Sequence, residues 1–224
     1  MPKLRCNVTY LRLHTQFKMI GAGIQNIIFD LGGVILDLDT SRTMTAFADL
    51  AGIAPGAITD SVAKAQFFKD YEQGLITDAE FRDHLRKLLG KEVTDEQIDF
   101  AWNNMLGPLP AERLAVLKKL LPDYRVFLLS NTNNIHLQAF NAIIQTAHGH
   151  ENLDPYFTKA YYSHLLRMRK PDVAIFEHVL RENNLKADET LFLDDNADNL
   201  AGARKAGIHT MHITHPDQIL SLVS

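Results

Sequence analysis

The chain has 224 residues, of which 46% are apolar and 22% charged, with a formal net charge of −4. These are the proportions of a folded globular protein, and at about 150 residues per domain the length allows one sizeable domain and a smaller one. They exclude a disordered, collagen-like or coiled-coil chain, and the negative charge leaves no general basic field to draw nucleic acid. No apolar run approaches the roughly 20 residues of a membrane span. The single cysteine, Cys6, excludes a disulfide scaffold and any site built from several thiolates. It fits a reducing, cytoplasmic setting.

Before Asp30 there is no acidic residue, while Lys3, Arg5, Arg12 and Lys18 are basic. Leu11 to Phe17 is too broken for the apolar stretch of a secretory signal, so residues 1–18 read as a poorly ordered extension, with Met19 as an alternative start. Ile24 to Phe29 is a short apolar run ending in Asp30-Leu-Gly-Gly33. From Asp39 to Gly107 no strand is convincing and helix signals are dense. Arg42 to Leu50 and Ala57 to Phe68 are helical. Thr77-Asp-Ala-Glu80 and Thr94-Asp-Glu-Gln97 are capping boxes, each followed by apolar residues at helical spacing. Trp102, Phe67, Phe68 and Phe81 form the core of this helical stretch, where one aromatic facing a cleft could stack on a sugar.

Beyond Gly107, Pro110 opens a helix with Leu114, Leu117 and Leu121 on one face. Arg125 to Leu129 is a second apolar run, ending in Ser130-Asn-Thr132. His136 to Gln145 is helical, with Phe140, Ile143 and Ile144 in phase. Ala160 to Ser163 is a weaker strand nearer an edge. Pro171 opens a helix with Val173, Phe176 and Leu180 inward. Leu191 to Leu193 is a third strong run, ending in Asp194-Asp195-Asn196. Ala197 to Ala206 is a helix closed by Gly207, and Ile208 to Ile213 is a last edge-like strand. Continuous apolar runs bounded by turn residues suit strands buried on both faces of a parallel sheet. The expected fold is therefore α/β, a doubly wound Rossmann-like sheet over residues 19–38 plus 108–224, with a helical insert over 39–107.

In such a sheet the carboxyl ends of the strands share one edge, where ligands bind. Asp30, Ser130-Asn131, Lys170 and Asp194-Asp195 therefore converge. Asp30 with the carboxylates at 194 and 195 can hold Mg²⁺, which takes one or two carboxylates, waters and a substrate phosphate. Ser130 offers a hydroxyl, the N–H groups around Asn131 can face phosphate oxygens, and Lys170 supplies a point charge. A carboxylate that is both ligand and nucleophile opens a route to an aspartyl-phosphate. His209, His212 and His215 are spaced by three along a strand and turn, which puts neighbours on opposite faces and argues against a metal site. His148 and His150 sit in a polar loop.

Ile-Ile-Phe-Asp30-Leu-Gly-Gly-Val, Leu-Leu-Ser130-Asn-Thr, Lys170-Pro-Asp and Phe-Leu-Asp194-Asp195-Asn-Ala-Asp-Asn resemble the four ordered motifs of the haloacid dehalogenase-like hydrolases. The insert resembles the family's C1 cap, and the motifs together look most like the family's bacterial α-D-glucose-1-phosphate phosphatases. The resemblance implies Asp30 as nucleophile, and Ser130 and Asn131 as phosphoryl ligands with Lys170 neutralising the charge. It implies Mg²⁺ on Asp30, Asp195, Asp194 and the Gly32 carbonyl.

Two departures stand out. The family's phosphatases usually carry a second Asp two residues after the nucleophile; here that place is Gly32. General acid–base help is worth about 10²–10⁴-fold, so its loss favours esters with less basic leaving groups, such as anomeric sugar phosphates and acyl phosphates. Asp37, Asp39 or a residue of the insert could substitute through a water. Three residues before Lys170 a usual Gly is replaced by Arg167, which could clamp a second anion or point to solvent. The expected activity is hydrolysis of a small sugar phosphate, glucose 1-phosphate being one example. The rivals are a catalytically impaired phosphosugar-binding module and a metal-independent haloacid dehalogenase. The expected partner is a small-molecule phosphate ester, with no nucleic acid and no membrane; oligomeric state is left open.

Overall fold

A computed structural model describes residues 20–54 and 65–223. The extension expected over residues 1–18, and the first part of the helix expected from Ala57 to Phe68, lie outside the described residues.

Five parallel strands form one sheet: β1 (Asn26–Phe29), β2 (Arg125–Ser130), β3 (Lys159–Tyr162), β4 (Thr190–Asp194) and β5 (His209–His212). Their order is β3-β2-β1-β4-β5, so the first strand is central and the two weakest candidates lie at the edges. Asn26 to Phe29 pair with Arg125 to Leu128 on one side and with Thr190 to Leu193 on the other.

The apolar runs are continuous because both faces are covered. Successive side chains alternate across a strand. Ile27, Phe29, Val126, Leu128, Leu191 and Leu193 therefore share one face, and Ile28, Phe127, Leu129 and Phe192 the other. The first face packs on α5 (Ala111–Leu120), α6 (Asn134–His148) and the C-terminal 3₁₀ turn Pro216–Val223. The second packs on α8 (Val173–Glu182) and α9 (Ala197–Lys205). Each large side chain so buried contributes about 1.5–3 kcal/mol. The short α7 (Ser163–Leu166) follows β3.

Between β1 and α5 lie α1 (Thr40–Ala51), α2 (Gln66–Glu72), α3 (Asp78–Leu89) and α4 (Asp95–Asn103). They pack around Phe47, Tyr71, Phe81, Leu85, Ile98 and Trp102, joined by Ile135 of α6. Asp39 caps α1, and Thr77 with Glu80 and Thr94 with Gln97 close reciprocal capping boxes on α3 and α4. The chain's ways in and out are paired. Leu38 and Leu106 form an antiparallel bridge, and the Gly107 N–H donates to the Asp37 carbonyl at 2.8 Å. Among the described residues no helix is long and apolar enough to cross a membrane.

Two helix faces differ from the sequence expectation. The helix expected to open at Pro171 has Asp172 as its N-cap and Val173 as its first residue. That start sets the phase, so Ile175, Phe176 and Val179 are the buried row, with Val173 and Leu180 half-buried. On α5, Pro110 stands at the N-cap position. Leu120 is buried where Leu121 was expected, because Leu121 falls at the C-cap.

Candidate active site

Each strand of the central trio ends in a polar group at the same edge. Asp30 follows β1, with its N–H donating to the Leu193 carbonyl at 2.9 Å, so the ladder holds its backbone. Ser130 ends β2 and Asp194 ends β4, both buried. Lys170 enters from the segment between α7 and α8 and has no exposed surface. Its Nζ stands 2.8 Å from Asp30 Oδ1 and 2.7 Å from Asp194 Oδ2. Asn131 fixes the lysine's backbone: its Nδ2 donates to the Lys170 carbonyl, and its Oδ1 accepts from the Lys170 N–H, both at 2.9 Å.

Asp194 and Asp195 differ in use. Asp194 is wholly buried; its carboxylate accepts from Lys170 Nζ and from the Asn196 N–H at 2.8 Å, and Asn199 Nδ2 donates to both of its oxygens, Oδ1 at 3.1 Å and Oδ2 at 3.0 Å. Asp195 lines the cleft. A Cβ at Gly33, whose φ is +73°, would stand 2.3 Å from Asp195 Oδ2, so glycine is required there for the carboxylate to take its place. Asp30, Asp194 and Asp195 each bring a carboxylate oxygen to within 4.8 Å of the others.

The electrostatics follow from burial and crowding. Burial pushes the Asp30 carboxyl up to about 7, against the pull of the Lys170 ammonium, with Asp194 adding to the rise. Burial and the Asp194 charge raise Asp195 as well. For Lys170 burial pulls the other way, but Asp30 and Asp194 outweigh it and the net shift is upward. A cation at this cluster would relieve the carboxylate crowding and favour the ionised forms.

The cleft encloses about 660 Å³. Its floor is the sheet edge, with Asp30, Gly32, Ser130, Asn131, Lys170 and Asp195. Its roof is built by the inserted helices, with Met44, Phe68, Lys69, Glu72 and Trp102. Phe68 and Trp102 are thus the aromatics of the insert that reach the cleft. Arg169 also lines it and donates through Nε and Nη2 to Glu72 Oε2, at 3.0 and 2.7 Å. His136 is buried beneath Trp102, stacked at 4.6 Å between ring centres.

The expected convergence of Asp30, Ser130, Asn131, Lys170, Asp194 and Asp195 is therefore present in space. Other expectations change. Asp37 and Asp39 are not among the residues lining the cleft. Asp37 Oδ1 accepts from Arg113 at 2.6 Å, and Asp39 caps α1. Arg167 is the exposed left-handed cap of α7, and Arg169 is the arginine that reaches the cleft. His209 and His212 turn their Nε2 atoms to the carbonyls of Asp188 and Asp195. Glu72, Lys69 and His136 belong to no motif; the adjacency of Arg169 to Lys170 was the one local signal.

Such a sheet edge places the chain among α/β enzymes that work at the carboxyl ends of their strands. It belongs to the haloacid dehalogenase-like hydrolases, whose family model matches residues 24–207. It is 32% identical over 187 residues to the D-ribitol-5-phosphate phosphatase of Bacteroides thetaiotaomicron, covering 84% of this chain and 90% of that protein. A haloacid dehalogenase-family enzyme of the same bacterium, crystallised with magnesium and inorganic phosphate, superposes with a TM-score of 0.73 at 37% identity, covering 84% of this chain and 93% of that one. The L-2-haloacid dehalogenase of Xanthobacter autotrophicus shares the fold, with a TM-score of 0.58 at 22% identity over 84% of this chain and 77% of that one.

Proposed function

We propose that this chain is a Mg²⁺-dependent phosphatase that hydrolyses a small sugar or polyol phosphate through an aspartyl-phosphate on Asp30. The observation that carries the reading is Lys170 Nζ held between Asp30 and Asp194, with the Asp195 carboxylate facing the same cleft. The donor set is oxygen throughout, which suits Mg²⁺. Asp30, Asp195 and the Gly32 carbonyl would hold the ion, and Asp194 adds its charge from behind. Bound there, Mg²⁺ would draw charge from the phosphoryl oxygens and so favour attack by Asp30.

The protein's own groups do the rest. Asp30 attacks phosphorus, the bond from phosphorus to the sugar oxygen breaks, and the phosphoryl group rides on Asp30 until water releases it as inorganic phosphate. Lys170 steadies Asp30 and neutralises the phosphoryl charge. Ser130 and the N–H groups around Asn131 hold its oxygens; the Asn131 side chain instead holds Lys170. Residues 39–107 act as the cap over a core of 19–38 plus 108–224, excluding water from the first step.

Gly32 has no proton to give, and a Cβ there would stand 2.2 Å from Leu38 Cδ1, so a leucine methyl fills that direction. An anomeric sugar phosphate such as glucose 1-phosphate suits this arrangement, because its leaving oxygen needs less protonation than an ordinary alkoxide. The relative named for D-ribitol 5-phosphate argues for including polyol phosphates. The single cysteine fits a cytoplasmic enzyme.

The test is phosphate release from anomeric, acyl and polyol phosphates with Mg²⁺ and with EDTA. Metal-dependent turnover that Asp30→Asn lowers by at least about 10³-fold is expected. No turnover of any ester, or EDTA-insensitive chloride release from a 2-chloro acid, would overturn the assignment.

A further inference from the structure

We propose that the Glu72–Arg169 pair is the part of the cleft that reads the hydroxyl groups of the substrate, and so selects polyhydroxylated monophosphates over bare ones. This rests on the phosphatase reading of the same cleft.

Both residues line the cleft and neither is fully buried, with 29% and 23% of their side chains exposed, so water meets the pair before substrate does. Their geometry leaves capacity. Arg169 Nε and Nη2 both land on one oxygen, Oε2. A fork-to-fork pair would engage both carboxylate oxygens. Here Oε1 of Glu72 and Nη1 of Arg169 take no part in the pair. A vicinal diol offers what this pair accepts: O–H donors for the carboxylate and oxygen acceptors for the guanidinium. Substrate hydroxyls would replace water on an intact ion pair, without breaking it. Glu72 also offsets the Arg169 charge, which makes the pair a poor clamp for a second phosphate.

The pair is held in register with the reacting carboxylate. Glu72 ends α2, and its carbonyl accepts from the Ser163 hydroxyl at 2.6 Å, which in turn accepts from the Thr132 N–H at 2.9 Å. The turn at Gly74 presses on the same segment: a Cβ there would lie 2.3 Å from the His164 carbonyl oxygen. Arg169 directly precedes Lys170, whose backbone Asn131 holds at both N–H and C=O. The distance from the hydroxyl-reading pair to Asp30 is thus set by fixed backbone on both sides, and precise placement is what a specificity contact needs.

The experiment uses the Mg²⁺-loaded protein, with ribitol 5-phosphate and glucose 1-phosphate against acetyl phosphate, which has no hydroxyl. Glu72→Gln and Arg169→Lys should each raise KM for the hydroxylated esters by about 10–100-fold, the weight of a hydrogen bond to a charged group. They should leave kcat/KM for acetyl phosphate within about twofold. Glu72→Asp, which keeps the charge and shortens the reach, should fall between. Calorimetric binding of ribitol 5-phosphate in an Asp30→Asn background should show the same loss in Kd without any turnover. Equal losses on all esters would make the pair a structural staple and overturn the proposal, as would no loss on any. A wild-type protein that turns over no ester sinks the phosphatase reading itself, whereas a wild type that turns over every ester without discrimination keeps that reading and overturns the selectivity proposed here.

Discussion

At the residue scale the cleft depends on small, specific acts of placement. Lys170 is an ammonium without exposed surface, tolerable only because two carboxylates meet it. Replacing it with Met keeps volume but leaves the buried Asp194 and Asp30 carboxyl groups without their cation. Lys170→Met should lose about 3–5 kcal/mol in urea unfolding, together with its activity. A loss under 1 kcal/mol would mean that the carboxylates find other relief. Gly33 is the complementary case. Gly33→Ala places a methyl on Asp195 Oδ2 in a backbone region that side chains avoid. Mg²⁺ affinity, read by titrating activity against the ion, should fall at least about tenfold, the effect of disturbing a ligand's support.

At the element scale the inserted helices are specified by their ends. The Thr77 hydroxyl accepts from the Glu80 N–H at 3.3 Å, and Glu80 Oε2 accepts from the Thr77 N–H at 2.8 Å. Thr77→Ala should cost about 1 kcal/mol in urea unfolding, while kcat on the preferred ester stays unchanged. Such boxes were legible in the sequence because both partners lie within one turn. So were the strands, since burial on both faces writes a continuous apolar run that ends where the polar edge begins. Contacts set by docking were not legible. Glu72 at a helix end looks like any solvated acid until α2 lands against Ser163. Asp37 looked free until Arg113, 76 positions away, took it. Arg167 and Arg169 differ by two residues, and the left-handed turn at Arg167 decides which one meets the cleft.

At the scale of the whole molecule, His136 joins the inserted helices to the sheet domain. The network is satisfied by the tautomer in which Nε2–H donates to the Trp102 carbonyl at 3.1 Å and Nδ1 accepts from Asn133 at 3.2 Å. Burial holds this imidazole down to about 4, despite the pull of the Trp102 carbonyl, against an ordinary 6.5. Between those values the unfolded chain binds a proton that the folded chain refuses. Stability from this group is therefore full above pH 6.5 and drains away as pH falls toward 4, by about 3 kcal/mol. The His136→Gln variant should show a melting temperature that falls less steeply over that range; parallel curves would show that His136 is not the group responsible.

The strand order has one more consequence, in time. Asn26 pairs with Arg125 and with Thr190, so the central strand waits for partners 99 and 164 positions downstream. At 5–20 residues per second of synthesis, roughly eight to thirty seconds separate the emergence of Asp30 from that of Asp194. Through that interval Asp30 exists without Lys170 and Asp194 beside it, and a nascent chain with its helical insert already folded lacks the assembled cleft. Activity should therefore arrive as a single late event in synthesis, and a ribosome-stalled chain ending before Asp194 should be inert whatever it has already folded.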